Sequence, residues 1–322
     1  MAAPLQYSVE VVPPRVAQSP TRLERPAYLM AFPFCLSTTV ANNPWMEDLA
    51  PDRRRPDLKR AFIQFLELYR YISSEALTYL LPSPAACGLQ DLVFTANLGV
   101  VLEHVRDRDV VILSNFASPP RRGETEVGRQ FFQAIGYEVH VSPSKFEGDA
   151  ELKHLHDHVY VGGHGVRSEP ETYDWMERTF DMKVIKATLK DPYLYHLDCG
   201  IFPVTREDTV VCTELFDREE VKEIERHTNI IAVSLDEAYS GICNSVRLSR
   251  TILNASHIHE LKAGTEQYSL EIRKNRRLED IASDLAFEVC YFNLSEYHKS
   301  GALLSCMVMH LNRYSYTFRL TL

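Results

Sequence analysis

Apolar positions along the chain follow two alternating periods. Segments 57–75, 124–135, 171–180, 217–227 and 277–288 set apolar residues at helical spacing among charges. The clearest is 217–227, where Asp217 can cap, Glu220 follows three residues on, and Val221 and Ile224 keep the helical stripe. Short β-rich runs come after them, at Leu92–Leu102, Tyr137–Val141, Lys183–Lys186, Ile230–Leu235 and Val289–Leu294. Further strands are predicted at Val110–Leu113, Val159–Val161, Tyr195–Asp198, Thr209–Cys212 and Met307–Leu311. This alternation predicts an α/β fold. The helix starts recur at intervals of roughly 45–67 residues, as one supersecondary unit repeated around an axis would. Periodicity alone leaves both a closed fan and an open doubly wound sheet standing. Residues 1–27 carry five prolines and read as an irregular extension. No linker interrupts 28–322, which reads as a single domain.

Composition narrows the class. With 322 residues and 45% hydrophobic content, the chain can bury a large core. A net charge of −9 argues against a nucleic-acid surface and suits a small cationic ligand. No apolar run is long enough to span a bilayer, and Met1–Pro26 lacks the apolar centre of a signal peptide. The seven cysteines, at 35, 87, 199, 212, 243, 290 and 306, show no paired spacing. They predict free thiols and a reducing, cytoplasmic setting.

Chemistry-bearing residues stand out against this background. Cys306 follows the small segment Ser300-Gly301-Ala302, suited to a loop that delivers a side chain to a ligand. A thiol together with the imidazole of His196 and the carboxylate of Glu147 supplies the parts of a nucleophilic site. If 195–198 is a strand, His196 and Asp198 share a face; so do Asp91 and Asn97 if 91–97 is extended. Asp149 rivals Glu147 by the same parity. Alternation in His154-Leu155-His156-Asp157-His158 would line three imidazoles along one face, but no distal ligand set accompanies them, and no metal site is predicted.

Taken in order, Asn42-Asn43-Pro44-Trp45-Met46, Asp91-x5-Asn97, Arg121-Arg122-Gly123-Glu124, Phe146-Glu147-Gly148, Gly163-His164-Gly165-Val166-Arg167, His196-Leu197-Asp198 and Cys306 resemble the guanidino-group-modifying (pentein) superfamily. Its members include arginine deiminase, dimethylargininase, amidinotransferases and arginine dihydrolase. The resemblance implies a pentein α/β-propeller, five ββαβ-type units around a pseudo-fivefold axis with the site in the central channel. It implies Cys306 as nucleophile, His196 as general acid and base, and Glu147 as the carboxylate orienting the histidine. It also implies substrate contacts from Asp198, Asn97, Asp91 and Asn43, with Arg167 and Arg122 toward a substrate carboxylate. The usual glycine run before the cysteine, and the His or Arg directly preceding it, are replaced here by Gly301-Ala302 and Ser305. Deiminases carry a second carboxylate where this chain has Asn97, whereas the dihydrolase branch carries Asn. An amide can both donate and accept, which suits a neutral ureido intermediate.

The expectation is a cofactor-free, cysteine-dependent hydrolase of guanidino or ureido C–N bonds, working through a covalent thiouronium. Its substrate would be a small cationic arginine-like compound, and a dihydrolase-type reaction would give ornithine and ammonia. The alternatives are an amidinotransferase and an inactive pentein-type scaffold. No nucleic-acid or membrane partner is expected, and the protein would be a monomer or homodimer. A working site further predicts one low-pKa cysteine, alkylated ahead of the others.

Overall fold

The structure is a computed structural model that describes residues 19–83 and 88–317. Fifteen strands form five three-stranded sheets with one repeated plan. In the second sheet, β3 (Gly99–Val101) runs antiparallel to β4 (Val110–Leu113), which runs parallel to β5 (Glu138–Val141). The third repeats this with β6 (Leu152–His156), β7 (Val159–His164) and β8 (Lys183–Thr188). The fourth uses β9 (Ile201–Pro203), β10 (Asp208–Val211) and β11 (Asn229–Ala232). The fifth uses β12 (Val246–Leu248), β13 (Thr251–Ala255) and β14 (Glu288–Phe292). The first sheet closes across the whole chain: β1 (Ala27–Ala31) runs parallel to β2 (Leu77–Leu81) and antiparallel to β15 (Met309–His310).

A helix carries each parallel crossover, as a parallel pair requires. These are α1 (Leu58–Glu75), α2 (Glu124–Ala134), α3 (Pro170–Phe180), α4 (Arg218–Glu225) and α5 (Glu266–Asp284). Asp57 caps α1 by accepting from the backbone N–H groups of Lys59 and Arg60. The α1 stripe Ala61, Phe65, Leu68 and Ile72 is wholly buried, and each large apolar side chain so buried is worth roughly 1.5–3 kcal/mol. The capping box predicted for α4 is present between Asp217 and Glu220.

Three predicted elements differ. Residues 92–98 are not strand: Thr95 donates its hydroxyl to the carbonyls of Leu29 and Met307, folding 95–97 into a 3-10 turn, so the strand starts only at Gly99. Tyr195–Asp198 is not strand either. The Leu197 N–H goes to the Glu151 carboxyl rather than to a ladder, and 197–199 coil into a 3-10 turn. The last helix begins at Thr265–Glu266, eleven residues before the predicted 277, because its first turns are too polar to show a stripe. It stops before Ala286, which has φ 59°.

Of the expected extension over 1–27, residues 1–18 lie outside the described ones. Over 19–27 the Asn312 amide donates to the carbonyls of Pro20 and Arg25, and Thr21 is bonded to Tyr137. Cys35 is disulfide-bonded, which corrects the expectation of free thiols throughout; Cys199, Cys212, Cys243, Cys290 and Cys306 are free. No helix among the described residues is long and apolar enough to cross a membrane.

Candidate active site

Just upstream of each of β3, β6, β9, β12 and β15 lies a polar residue or a thiol. Asn97 precedes β3, Glu147 precedes β6, His196 and Asp198 precede β9, Asn244 precedes β12 and Cys306 precedes β15. All but Asn244 sit in or beside short 3-10 turns, which break the up-and-down alternation of a strand. The turn at 95–97 touches those at 148–150 and 305–307. Gly148 makes this possible. It has φ +71°, and a Cβ there would lie 2.5 Å from the carbonyl oxygen of Ala96.

Cys306 is buried, with 7% of its surface exposed. Its Sγ lies 3.8 Å from Asp198 Oδ2 and 3.6 Å from Asn244 Nδ2. Ser305 holds the other side of that contact, donating its hydroxyl to Asp198 Oδ2 at 2.7 Å and its N–H to Asn244 Oδ1 at 2.9 Å. Burial first, and the Asp198 carboxylate second, push the Cys306 thiol up to about 12. The expected low-pKa cysteine is therefore corrected: burial and the Asp198 carboxylate favour the protonated thiol. Alkylation of Cys306 by iodoacetamide should be slow at pH 7 and rise without a plateau up to about pH 11, followed by peptide mass spectrometry. A plateau near pH 7 would show that the carboxylate does not govern the thiol.

His196 Nε2 lies 2.7 Å from Glu147 Oε2 and 3.4 Å from the Asn97 amide. The one proton that nitrogen can carry goes to the nearer carboxylate, leaving the Asn97 amide for another partner. Glu147 is fully buried. Burial alone would raise its pKa, but the His196 hydrogen bond and the charges of His196, Arg167 and Arg121 hold it at about 2. The other Glu147 oxygen accepts from the Ala117 N–H at 3.3 Å and faces Arg167 Nη1 at 3.7 Å. Beneath it, Glu151 is fully buried, and burial with the nearby Glu147 and Asp198 carboxylates raises it well above the ordinary range. It accepts from the Leu197 N–H at 3.3 Å.

A tight cavity of about 20 Å³ lies over these groups; among its lining residues are Cys306, His196, Asn97, Asp91, Arg167 and Asn43. Asp91 accepts from the Asn42 amide at 2.7 Å, and burial raises its pKa against the pull of Arg121. Arg167 stacks over Tyr195 at 4.7 Å and donates to the Asn42 carbonyl at 2.5 Å. Asn43 lines the cavity with its amide already engaged, since it caps the turn at Met46 and donates to the Ser300 carbonyl.

Two expectations about side-chain direction are corrected. Arg122 is exposed and outside the cavity, while Arg121 is the buried one, paired with Glu124 at 2.8 Å and donating to the carbonyls of Asp91 and Phe94. Asp149 does not share Glu147's direction, because the Gly148 turn sends it to His310 and Arg313, each 2.8 Å away. The three-histidine face also fails. A register shift between His154 and His156 breaks the alternation, and no group of three ligands able to hold a metal exists among the described residues. Asn244, Tyr195 and Ser305 were missed; no motif signals them, and only their meeting with Cys306 and Arg167 reveals them.

No family model matches the chain. The bifunctional arginine dihydrolase/ornithine cyclodeaminase AgrE of Nostoc is 28% identical over 88% of this chain. The N(G),N(G)-dimethylarginine dimethylaminohydrolase of Mycobacterium tuberculosis is 27% identical over 54% of it. The chain spans 37% of the length of AgrE and 35% of that of the Synechocystis protein ArgZ. The crystal structure of the N-terminal domain of ArgZ bound to product, an arginine dihydrolase of the cyanobacterial ornithine–ammonia cycle, superposes with TM-score 0.76 at 26% identity, covering 89% of this chain and 97% of that one. A dimethylarginine dimethylaminohydrolase adduct superposes with TM-score 0.65 at 19% identity, a likeness of fold, covering 89% of this chain and 99% of that one.

Proposed function

From the premise that this chain is similar in sequence and fold to the guanidino-group-modifying pentein enzymes, we propose that it is a cysteine-dependent hydrolase of guanidino C–N bonds, of the arginine dihydrolase type. Its five sheets are then five ββαβ units set around a pseudo-fivefold axis, with Cys306 at one mouth of the channel. The observation that carries the reading is that Cys306, backed by Asp198, and His196, backed by Glu147, come from segments distant in sequence and line one cavity together with Asp91.

The thiol's high pKa fits a cationic substrate. A guanidinium seated between Asp91, Asp198 and Cys306 replaces an uncompensated carboxylate field by its own positive charge, and the thiol then ionises only when substrate is present. The thiolate adds to the guanidinium carbon, forming a C–S bond. His196 protonates the leaving nitrogen, which departs as ammonia and leaves an S-alkylthiouronium. Water, deprotonated by His196, adds to the same carbon, and the C–S bond breaks to give the ureido product. In the second round the thiolate adds to the ureido carbon, ammonia leaves, and hydrolysis releases carbon dioxide and the amine. Arginine and two waters thus give ornithine, two ammonia and carbon dioxide. Glu147 orients His196, Arg167 takes a substrate carboxylate, and Asn97 holds the neutral ureido group that a carboxylate would hold less well.

Mass spectrometry of products from guanidino and ureido compounds, with and without amine acceptors, tests this. Ornithine with two ammonia equivalents is expected from arginine, and Asn97→Asp should shift the end product toward citrulline. Citrulline as the wild-type end product would overturn the dihydrolase assignment. Absence of turnover of every compound would overturn the hydrolase.

A further inference from the structure

The strands that start at the active site end together on the far side of the fold. From Asn97, β3 leads to Glu103; from Glu147, β6 leads to His154; from His196, β9 leads to Arg206; from Cys306, β15 leads to Arg313. Their far ends enclose a second cavity of about 230 Å³, against about 20 Å³ at Cys306. None of its lining residues is shared with the cavity over Cys306.

The charged lining comprises Arg22, Arg106, Arg206 and Arg313 against Glu24, Glu103 and Asp157. Arg313 is buried, and its guanidinium pairs with Asp149 at 2.8 Å, behind the cavity, and with Glu103 at 3.7 Å. Arg22 pairs with Asp109, outside the lining. Arg206 pairs at 2.6 Å with Asp157, whose side chain is 65% exposed; a surface pair of this kind is weak and easily exchanged. Arg106 is exposed and makes no ion pair among the described residues. Burial pushes Glu103 up to about 7, so this carboxyl offsets the arginines only in part at neutral pH. Burial first, and the Arg313 charge second, drive His154 down to about 3 and His310 to about 4.

We propose that this far cavity is a second ligand site, for a small anion bearing a carboxylate or phosphate group, held by Arg106 and Arg206 at the rim and Arg313 at the floor. Arginine forks match both groups bidentately. The site does not depend on the reaction proposed for Cys306, and its test reads binding alone.

Isothermal titration of the full chain with inorganic phosphate and, separately, succinate decides it. Saturable binding of one or both below about 10 mM is expected, and which of them binds identifies the group recognised. Because Arg106 and Arg206 are exposed, the double variant Arg106→Gln/Arg206→Gln should fold as the wild type does, and it should bind about tenfold more weakly or worse. Arg167→Gln, at the other mouth, should leave binding unchanged. Absence of saturable binding of both anions overturns the proposal. So does binding that survives the double variant or is lost in Arg167→Gln, since the anion then sits elsewhere.

Discussion

Cys306→Ala is expected to lower turnover by about 10⁴-fold or more, to the background set by binding and charge alone. In the proposed reaction the thiol forms the bond to carbon: it is flanked by Asp198 at 3.8 Å and Asn244 at 3.6 Å, with His196 lining the same cavity. Alanine removes only a buried sulfur, so the 3-10 turn at 305–307 and the Ser305 contacts stay in place. Substrate binding should accordingly survive, and titration of the variant with arginine gives a Kd in place of turnover. Intact-mass spectrometry of rapidly quenched wild-type enzyme should show a covalent adduct, absent in the variant. Turnover by Cys306→Ala within about tenfold of wild type would remove the nucleophile from the mechanism.

Glu147→Gln is expected to lower kcat by about 10²–10⁴-fold, the usual worth of a positioned proton-transfer group. One carboxylate oxygen accepts from His196 Nε2 and the other from the Ala117 N–H. An amide cannot do both. Turned one way it sets NH₂ against the Ala117 N–H; turned the other it sets NH₂ against His196 Nε2, which must then accept, so the imidazole proton moves to Nδ1. The pH profile of kcat should change shape as well as height, which a loss of stability alone would not produce. Stability carries its own signature. Glu147 is held at about 2 in the folded protein, below its ordinary value. Its contribution is therefore present above the ordinary carboxylate pKa and is lost as pH falls toward about 2. The stability gap between wild type and Glu147→Gln, measured by denaturant unfolding, should narrow between pH 7 and pH 3. An unchanged pH profile for kcat would make Glu147 merely structural.

The helices over 57–75, 124–135, 171–180 and 217–227 were legible because each buries one stripe against its own sheet, and the 3.6-residue period is written in that burial. β1 was not legible: all five of its residues are buried, so no polar alternation marks it. At the site, residue identities were readable from their order, but directions were not. Parity along a strand put Glu147 with Asp149 and His196 with Asp198. In fact 3-10 turns intervene, and Asp198 meets Cys306 while Asp149 faces away toward Arg313. The choice between Arg121 and Arg122 depends on the phase of a three-residue turn starting at Pro119, which composition does not encode. Asn244 stands in no recognisable motif, and its role comes only from where β12 begins.

The pairing of Tyr28 with His310 joins strands separated by nearly the whole described chain. Such a contact bears a large loop-closure entropy, so it is slow to form and forms late. Cys306 lies just upstream of that last strand, whereas Asn97, Glu147 and His196 belong to units whose pairings are local. A newly made chain would thus set Asn97, Glu147 and His196 in their units first and bring in Cys306, the proposed nucleophile, in the closing step. Until then β1 shows an unpaired edge of five apolar residues, the kind of edge that recruits other chains. The seam that completes the site is also where an unfinished molecule is most prone to aggregate.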